Sequence, residues 1–256
     1  MTSRLPRAFL ERPIAHRALH DALQGRPENS RAAIRAAIQA GYGIEIDLQL
    51  TADGQAMVFH DYDLGRLTGQ RGPIRQITAA EAGAIPLLDS DGEGIPTLSE
   101  VLGLVAGRVP LLIEFKDQDG AMGPNVGQLE QAAVEVLAGY DGPVALMSFN
   151  PHSVAELARL APDLPRGLVT SAYDPSDWHL PRKVGDHLRE IPDFDRVGAD
   201  FISHEVADLN RPRVAELKAR GVPILCWTVR SPAQEAEARK VADNITFEDY
   251  LAAFPA

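Results

Sequence analysis

The stretch Gly43-Ile44-Glu45-Ile46-Asp47-Leu48-Gln49-Leu50-Thr51-Ala52-Asp53-Gly54-Gln55-Ala56-Met57-Val58-Phe59-His60 decides how the chain reads. Its first eight residues form an apolar, β-prone run in which Glu45 and Asp47, two apart, share a face. Ala56 to His60 is strand-like again, and only Thr51-Ala52-Asp53-Gly54 separates the two runs. Such a gap suits a hairpin and is too short for a helical crossover. Glu45 and His60 stand at nearly equal distances from that turn, so pairing would set them side by side at one end of the hairpin.

Outward from the hairpin, short β-prone segments alternate with longer segments of helical period, as in βαβ units with a mostly parallel sheet. The further strand candidates are 13–16, 109–115, 144–149, 166–170, 200–204, 223–229 and 243–247. With 43–50 they make the complement of an α/β fold of the (β/α)₈ TIM-barrel type. Val126, Leu129, Ala133, Val136, Leu137 and Tyr140 follow one helical face. Thr97-Leu98-Ser99-Glu100 reads as a capping box, and Asn150-Pro151 and Ser231-Pro232 each pair an N-cap residue with a first-turn proline. Between Asp61 and Ile95 the chain is rich in Gly, Asp and Pro, with a short helix expected near 78–84; this reads as a small insertion on the barrel rim. The whole chain, 1–256, is expected to be a single domain.

Composition narrows the function. Hydrophobic residues make up 45% of the 256 residues, enough for a large core, and the formal net charge is −11. That balance, without a basic run, argues against partners that must be held through phosphate neutralisation, such as nucleic acid or an anionic membrane surface. No apolar run is long enough to cross a bilayer, and Glu11 and Arg12 interrupt the start before a signal-peptide core could form, so a cytoplasmic enzyme is expected. The lone Cys226 lies in an apolar run and reads as a buried thiol. Oligomeric state is not legible.

In α/β barrels, chemistry gathers at the C-terminal ends of the strands. His16-Arg17 ends the first strand, Glu45 and Asp47 lie on the second, Glu114 and Lys116 on the third, and Trp227 on the seventh. Three carboxylates on apolar strands would repel one another and lose hydration, a cost that a bound cation relieves. An all-oxygen set suits one hard divalent ion, Mg²⁺ or Ca²⁺. His16 and His60 beside it could take and give a proton, and Arg17 and Lys116 add fixed positive charge. Cation, guanidinium and ammonium together describe a site for a phosphate that gains negative charge in the transition state. Pro27-Glu28-Asn29-Ser30 reads mainly as a helix start.

These residues resemble, in order along most of the chain, those of the glycerophosphodiester phosphodiesterase family. Ile14-Ala15-His16-Arg17 is similar to its opening His-Arg-Gly motif, Pro27-Glu28-Asn29-Ser30 to its Pro-Glu-Asn-Thr, and Glu45-Ile46-Asp47 with Thr51-Ala52-Asp53-Gly54 and Val58-Phe59-His60-Asp61 to its central signature. Leu64-Gly65-Arg66-Leu67-Thr68, Ile95-Pro96-Thr97-Leu98, Ile113-Glu114-Phe115-Lys116, Ser148-Phe149 and Cys226-Trp227-Thr228-Val229 continue the resemblance. It implies a barrel with a rim insertion, metal ligation by Glu45, Asp47 and Glu114, acid and base roles for His16 and His60, and substrate contacts from Arg17, Lys116 and Trp227. The implied reaction cleaves a small-molecule glycerophosphodiester to sn-glycerol 3-phosphate and an alcohol. Departures are Ala18 for the usual Gly, Arg230 for Asn, and Phe247 for Asp. Two other readings share the scaffold: a lipid-directed phosphodiesterase of phospholipase C or D type, and a silent phosphodiester-binding module. The intact histidines and carboxylates speak against the second.

Overall fold

The computed structural model describes residues 4–255. In chain order the strands are β1 (Ile14–Ala15), β2 (Gly43–Leu50), β3 (Ala56–Val58), β4 (Leu111–Phe115), β5 (Val144–Ser148), β6 (Arg166–Thr170), β7 (Phe201–Glu205), β8 (Ile224–Val229) and β9 (Asn244–Phe247). The helices are α1 (Ala8–Glu11), α2 (Arg31–Ala40), α3 (Gly65–Thr68), α4 (Ala79–Ala84), α5 (Leu98–Val105), α6 (Gln128–Leu137), α7 (Pro151–Leu160), α8 (Arg182–Arg189), α9 (Pro212–Ala219) and α10 (Pro232–Ala238). All strands but β3 run parallel, and pairing of β1 with both β2 and β9 closes them into an eight-stranded barrel. Only β3 is antiparallel, as the hairpin reading expects.

The strand period divides the core in two. Along β2, Ile44, Ile46 and Leu48 join the cluster that packs on Ile34, Val101 and Leu102 of the surrounding helices. Their alternates point into the barrel, where Ile14, Leu112, Ala145, Met147, Val169, Phe201 and Leu225 form a separate plug. Phe9 of α1 joins that plug from the N-terminal ends of the strands, and its carbonyl accepts a bond of 2.7 Å from Asn244 Nδ2. The interior is thus filled below, and only the C-terminal mouth is left for chemistry.

Local chemistry sets the helix starts. Thr97 and Glu100 cap each other reciprocally, Asn150 accepts from the His152 amide at 2.9 Å, and Ser231 accepts from Gln234 at 3.2 Å. Each such cap is worth about 1 kcal/mol. The apolar stripe from Val126 to Tyr140 is trimmed at both ends, because Gly127 at φ 115° breaks the chain direction before α6 and Gly139 at φ 85° does so after it.

Residues 61–95 carry α3 and α4 and fold over the hairpin with their own apolar cluster, in which Leu64, Leu67, Ile74 and Ile85 pack on Met57 and Phe59. Among the described residues no helix is long and apolar enough to cross a membrane.

The plug leaves no spare volume beside β6. A Cβ on Gly167 would lie 2.4 Å from the fully buried ring of Phe201. Gly167→Ala is therefore expected to lower the denaturant midpoint, at unchanged slope, by the equivalent of about 1–3 kcal/mol. An unchanged midpoint would show that the ring has room to move.

Candidate active site

The mouth of the barrel holds a cavity of about 130 Å³ whose lining includes His16, Arg17, Glu45, His60, Glu114, Lys116 and Trp227. Asp47, the eighth residue expected there, stands behind them within the carboxylate group: ligand oxygens of Glu45, Asp47 and Glu114 all lie within 4.8 Å of one another. The eight residues come from β2, β4 and β8 and from the residues that follow β1, β3 and β4, so the barrel brings together what the sequence spreads over more than two hundred positions. A larger open groove, about 820 Å³, runs between 18–26 and 247–251; none of these carboxylates lines it.

The hairpin register differs from expectation by one residue. Leu48 pairs with Val58 and Leu50 with Ala56, which sets His60 opposite Ile46 and not opposite Glu45. The cause is the turn: Thr51 N–H donates to the Gln55 carbonyl at 3.1 Å and Thr51 Oγ1 accepts from the Gln55 amide at 3.0 Å, so these two residues face each other and only Ala52, Asp53 and Gly54 turn the chain. Pairing ends soon after, with Phe59 N–H on the Asp47 carbonyl at 3.0 Å. His60, beyond it, turns into the same cavity as Glu45 by a different route.

The three carboxylates are buried and unequal. Asp47 accepts Lys116 Nζ at 2.8 Å and Asn29 Nδ2 at 2.9 Å, with Arg17 Nε 3.7 Å away. Burial would raise its pKa, but Lys116, His60 and Arg17 outweigh burial and hold it far below the usual range. Glu114 meets the same ammonium at 2.5 Å, yet burial and the Asp47 charge push its pKa up. Glu45 is pushed up further, by burial first and then by Asp47 and Glu114. One of its oxygens accepts the Arg17 amide at 2.8 Å; the other, Oε1, has no partner in the protein. Lys116 in turn is held above its ordinary pKa, since the two acids more than offset its burial.

Each histidine is braced by a carboxylate. His16 Nδ1 lies 2.5 Å from Glu248 Oε2, and His60 Nδ1 lies 2.7 Å from Asp61 Oδ1. Burial would raise both acids, but the His16 and His20 contacts at Glu248, and the His60 and Arg66 contacts at Asp61, depress them well below the carboxylate range. An ionised acid only accepts, so Nδ1 of each ring carries the proton that bonds it. Burial lowers the His16 pKa, and the Arg17 charge adds to this against the opposing pull of Glu248.

Glu248, Asp61, Glu28 and Arg66 were missed in the sequence as site residues. Glu28 accepts Arg17 Nη1 at 2.8 Å and Arg66 Nη1 at 2.7 Å, and Arg66 Nε reaches Asp61 at 2.7 Å. The segment 27–30 is therefore more than a helix start: Ser30 caps α2, while Glu28 and Asn29 hold Arg17 and Asp47. Phe247, where the family resemblance expects an acid, packs on Tyr42 at 4.8 Å and Tyr250 at 5.5 Å, and the next residue, Glu248, supplies the carboxylate. Arg230 salt-bridges Glu248 at 2.7 Å. The rim beyond the cavity is aromatic. Phe149 lies 5.4 Å from Trp227 and 4.8 Å from Trp178, whose ring is tilted against buried Tyr173 at 5.0 Å.

Comparison with known proteins converges on one group. A glycerophosphodiester phosphodiesterase of Caldanaerobacter subterraneus is 29% identical, over 87% of this chain and 89% of its own. Glycerophosphodiester phosphodiesterase 1 of Bos taurus is 41% identical, over 85% and 71%. A phosphodiesterase of Oleispira antarctica, solved in complex with the product sn-glycerol-3-phosphate, is 26% identical, covers 95% of each chain and superposes with a TM-score of 0.76. The family model for the glycerophosphoryl diester phosphodiesterase family matches residues 16–249, from the histidine that ends β1 to the acid just past Glu248, and this chain belongs to that family.

Proposed function

We propose that the protein hydrolyses a glycerophosphodiester to sn-glycerol 3-phosphate and an alcohol, using one divalent cation, Mg²⁺ or Ca²⁺, and the His16/His60 pair. Two observations carry this reading: Glu45, Asp47 and Glu114 are buried with a carboxylate oxygen of each within 4.8 Å of the others, and Glu45 Oε1 is buried without a partner in the protein. Lys116 bonds Asp47 and Glu114 and Arg17 Nε stands 3.7 Å from Asp47, leaving three acids with two positive side chains, so a hard cation fits both the excess charge and the all-oxygen donor set. Glu45, Asp47 and Glu114 would hold it, where it would draw electron density from a phosphoryl oxygen.

The protein's own groups do the rest. Arg17 and Lys116 fix the phosphate by charge and hydrogen bonds. His16, its pKa lowered by burial, is neutral near pH 7 and can take a proton at Nε2 from the attacking hydroxyl. His60 gives a proton to the leaving alcohol oxygen as its bond to phosphorus breaks. The attacking group is the glycerol 2-hydroxyl, by way of a cyclic phosphate, or water; trapping the cyclic product separates these. The aromatic rim leaves the alcohol pointing out of the barrel.

Turnover of glycerophosphocholine in His16→Ala or His60→Ala is expected to fall about 10²- to 10⁴-fold; near-normal turnover in either would overturn the pair. Glu45→Gln should weaken the response to added Mg²⁺ or Ca²⁺, and the wild-type protein should lose activity in excess chelator. The Glu248 contact raises the His16 pKa, so Glu248→Gln should lower it further and move the acidic limb of the kcat/KM profile to lower pH. A shift in the opposite direction would show that His16 is not the base.

A further inference from the structure

The cavity has two kinds of wall. Toward β1, β2 and β4 it is charged, with His16, Arg17, Glu45, Glu114 and Lys116. From β5 round to β9 it is neutral apart from Arg230, which salt-bridges Glu248, and there Met147 and Val169 stand with the hydroxyl-bearing Ser203, Thr228 and Thr246. Ser203 is 0% exposed and Thr246 is 1% exposed, yet neither Ser203 Oγ nor Thr246 Oγ1 has a hydrogen-bond partner in the protein. Buried hydroxyls without partners are rare in folded proteins, because the lost hydration is not replaced. Met147 and Val169 cannot replace it.

We propose that Ser203 and Thr246 form a polyol-recognition floor, hydrogen-bonding the free hydroxyls at the glycerol end of the substrate. This rests on the glycerophosphodiester reading and adds to it the residues that recognise the glycerol. A cavity of about 130 Å³ is several times the roughly 30 Å³ that one water takes up, so it is larger than a site for a single structural water. A serine or threonine hydroxyl both donates and accepts, and so does an alcohol, whereas a carboxylate only accepts. The two walls then orient the substrate: phosphorus on the charged side, glycerol down against β7 and β9, and the other alcohol out past Phe149 and Trp227. Trp227 cannot compete for the polyol through its ring nitrogen, because Nε1 already donates to the Ser203 carbonyl at 3.1 Å. A site built to meet a hydroxyl discriminates strongly against an analogue that lacks it.

The test measures binding to the full chain, with Mg²⁺ or Ca²⁺ present, of sn-glycerol 3-phosphate and of its analogue lacking the terminal hydroxyl. The wild-type protein is expected to prefer glycerol phosphate at least about 10-fold. Ser203→Ala and Thr246→Val should each shrink that ratio about 3- to 10-fold by weakening glycerol phosphate alone, and Thr246→Ser should restore it. Melting curves identify which variants are folded, and the Val and Ser replacements at Thr246 decide the matter if Ser203→Ala is not. An unchanged ratio, an equal loss on both ligands, or a wild-type protein that binds neither would overturn the floor and leave the hydroxyls to structural water. Glycerophosphocholine turnover, measured in parallel, separates the two claims: discrimination without turnover removes the proposed reaction and keeps the floor, and turnover without discrimination does the reverse.

Discussion

The rest of the structure depends on holding three carboxylates together, out of water, at the mouth of a barrel whose interior is otherwise apolar. Like charges at this spacing cannot all ionise without compensation. The resolution is unequal: Asp47 takes Lys116, Asn29 and the Arg17 charge and stays ionised, while Glu45 and Glu114 are driven toward the protonated form. Such a set is costly as it stands, and a bound cation would relieve it. The braces outside the site answer the same problem. Glu28, Arg66 and Asp61 alternate in sign, and the single negative charge they leave is matched by Arg17, so Arg17 and His60 are positioned by a chain that is neutral as a whole.

Much of this was legible in the sequence, for a physical reason. Glu45 and Asp47 announce a barrel mouth because polar residues at the inward positions of an otherwise apolar strand are affordable only where that strand meets a site. The hairpin is equally local, since a short gap leaves no room for a crossover. What escaped the reading is what depends on distant chain segments. Glu248 is 232 residues from His16, and no local pattern tells which face of the chain beyond β9 it takes. Arg66 reaches Glu28 and Asp61 only because α3 packs its apolar face on Met57 and Phe59. The register slip has a cause of intermediate range: Thr51 faces Gln55 while its carbonyl accepts from the Gly54 amide, so three residues turn the chain where four were expected, and one residue of loop moves every partner on the strand.

The rim segment 61–95 shows how an insertion acquires a part in a site it does not line. Its apolar cluster is fixed to the hairpin through Met57 and Phe59, and this attachment gives Arg66 a defined position over the mouth. From there its guanidinium binds two acids at once, one from the loop that follows β1 and one beside His60. A guanidinium suits that task better than an ammonium, because its planar fork satisfies both carboxylates without choosing between them.

The turn after β1 shows what the site costs the backbone. Arg17 at φ 51° and Ala18 at φ 67° are consecutive left-handed residues that are not glycine, a conformation unfavourable by roughly 1–2 kcal/mol for each. Three hydrogen bonds hold it: Arg17 N–H on Glu45 Oε2 at 2.8 Å, Ala18 N–H on the Glu45 carbonyl at 3.0 Å, and Asn29 N–H on the Arg17 carbonyl at 2.9 Å. At about 1 kcal/mol net apiece, these bonds offset most of the strain. The turn is what lets two successive side chains, His16 and Arg17, both enter the cavity, whereas a continuing strand would send them to opposite faces. Glu45 is thereby fixed by the backbone of a residue whose side chain lines the same cavity, and one of its two oxygens is used up in doing so. The other is the one that lacks a partner.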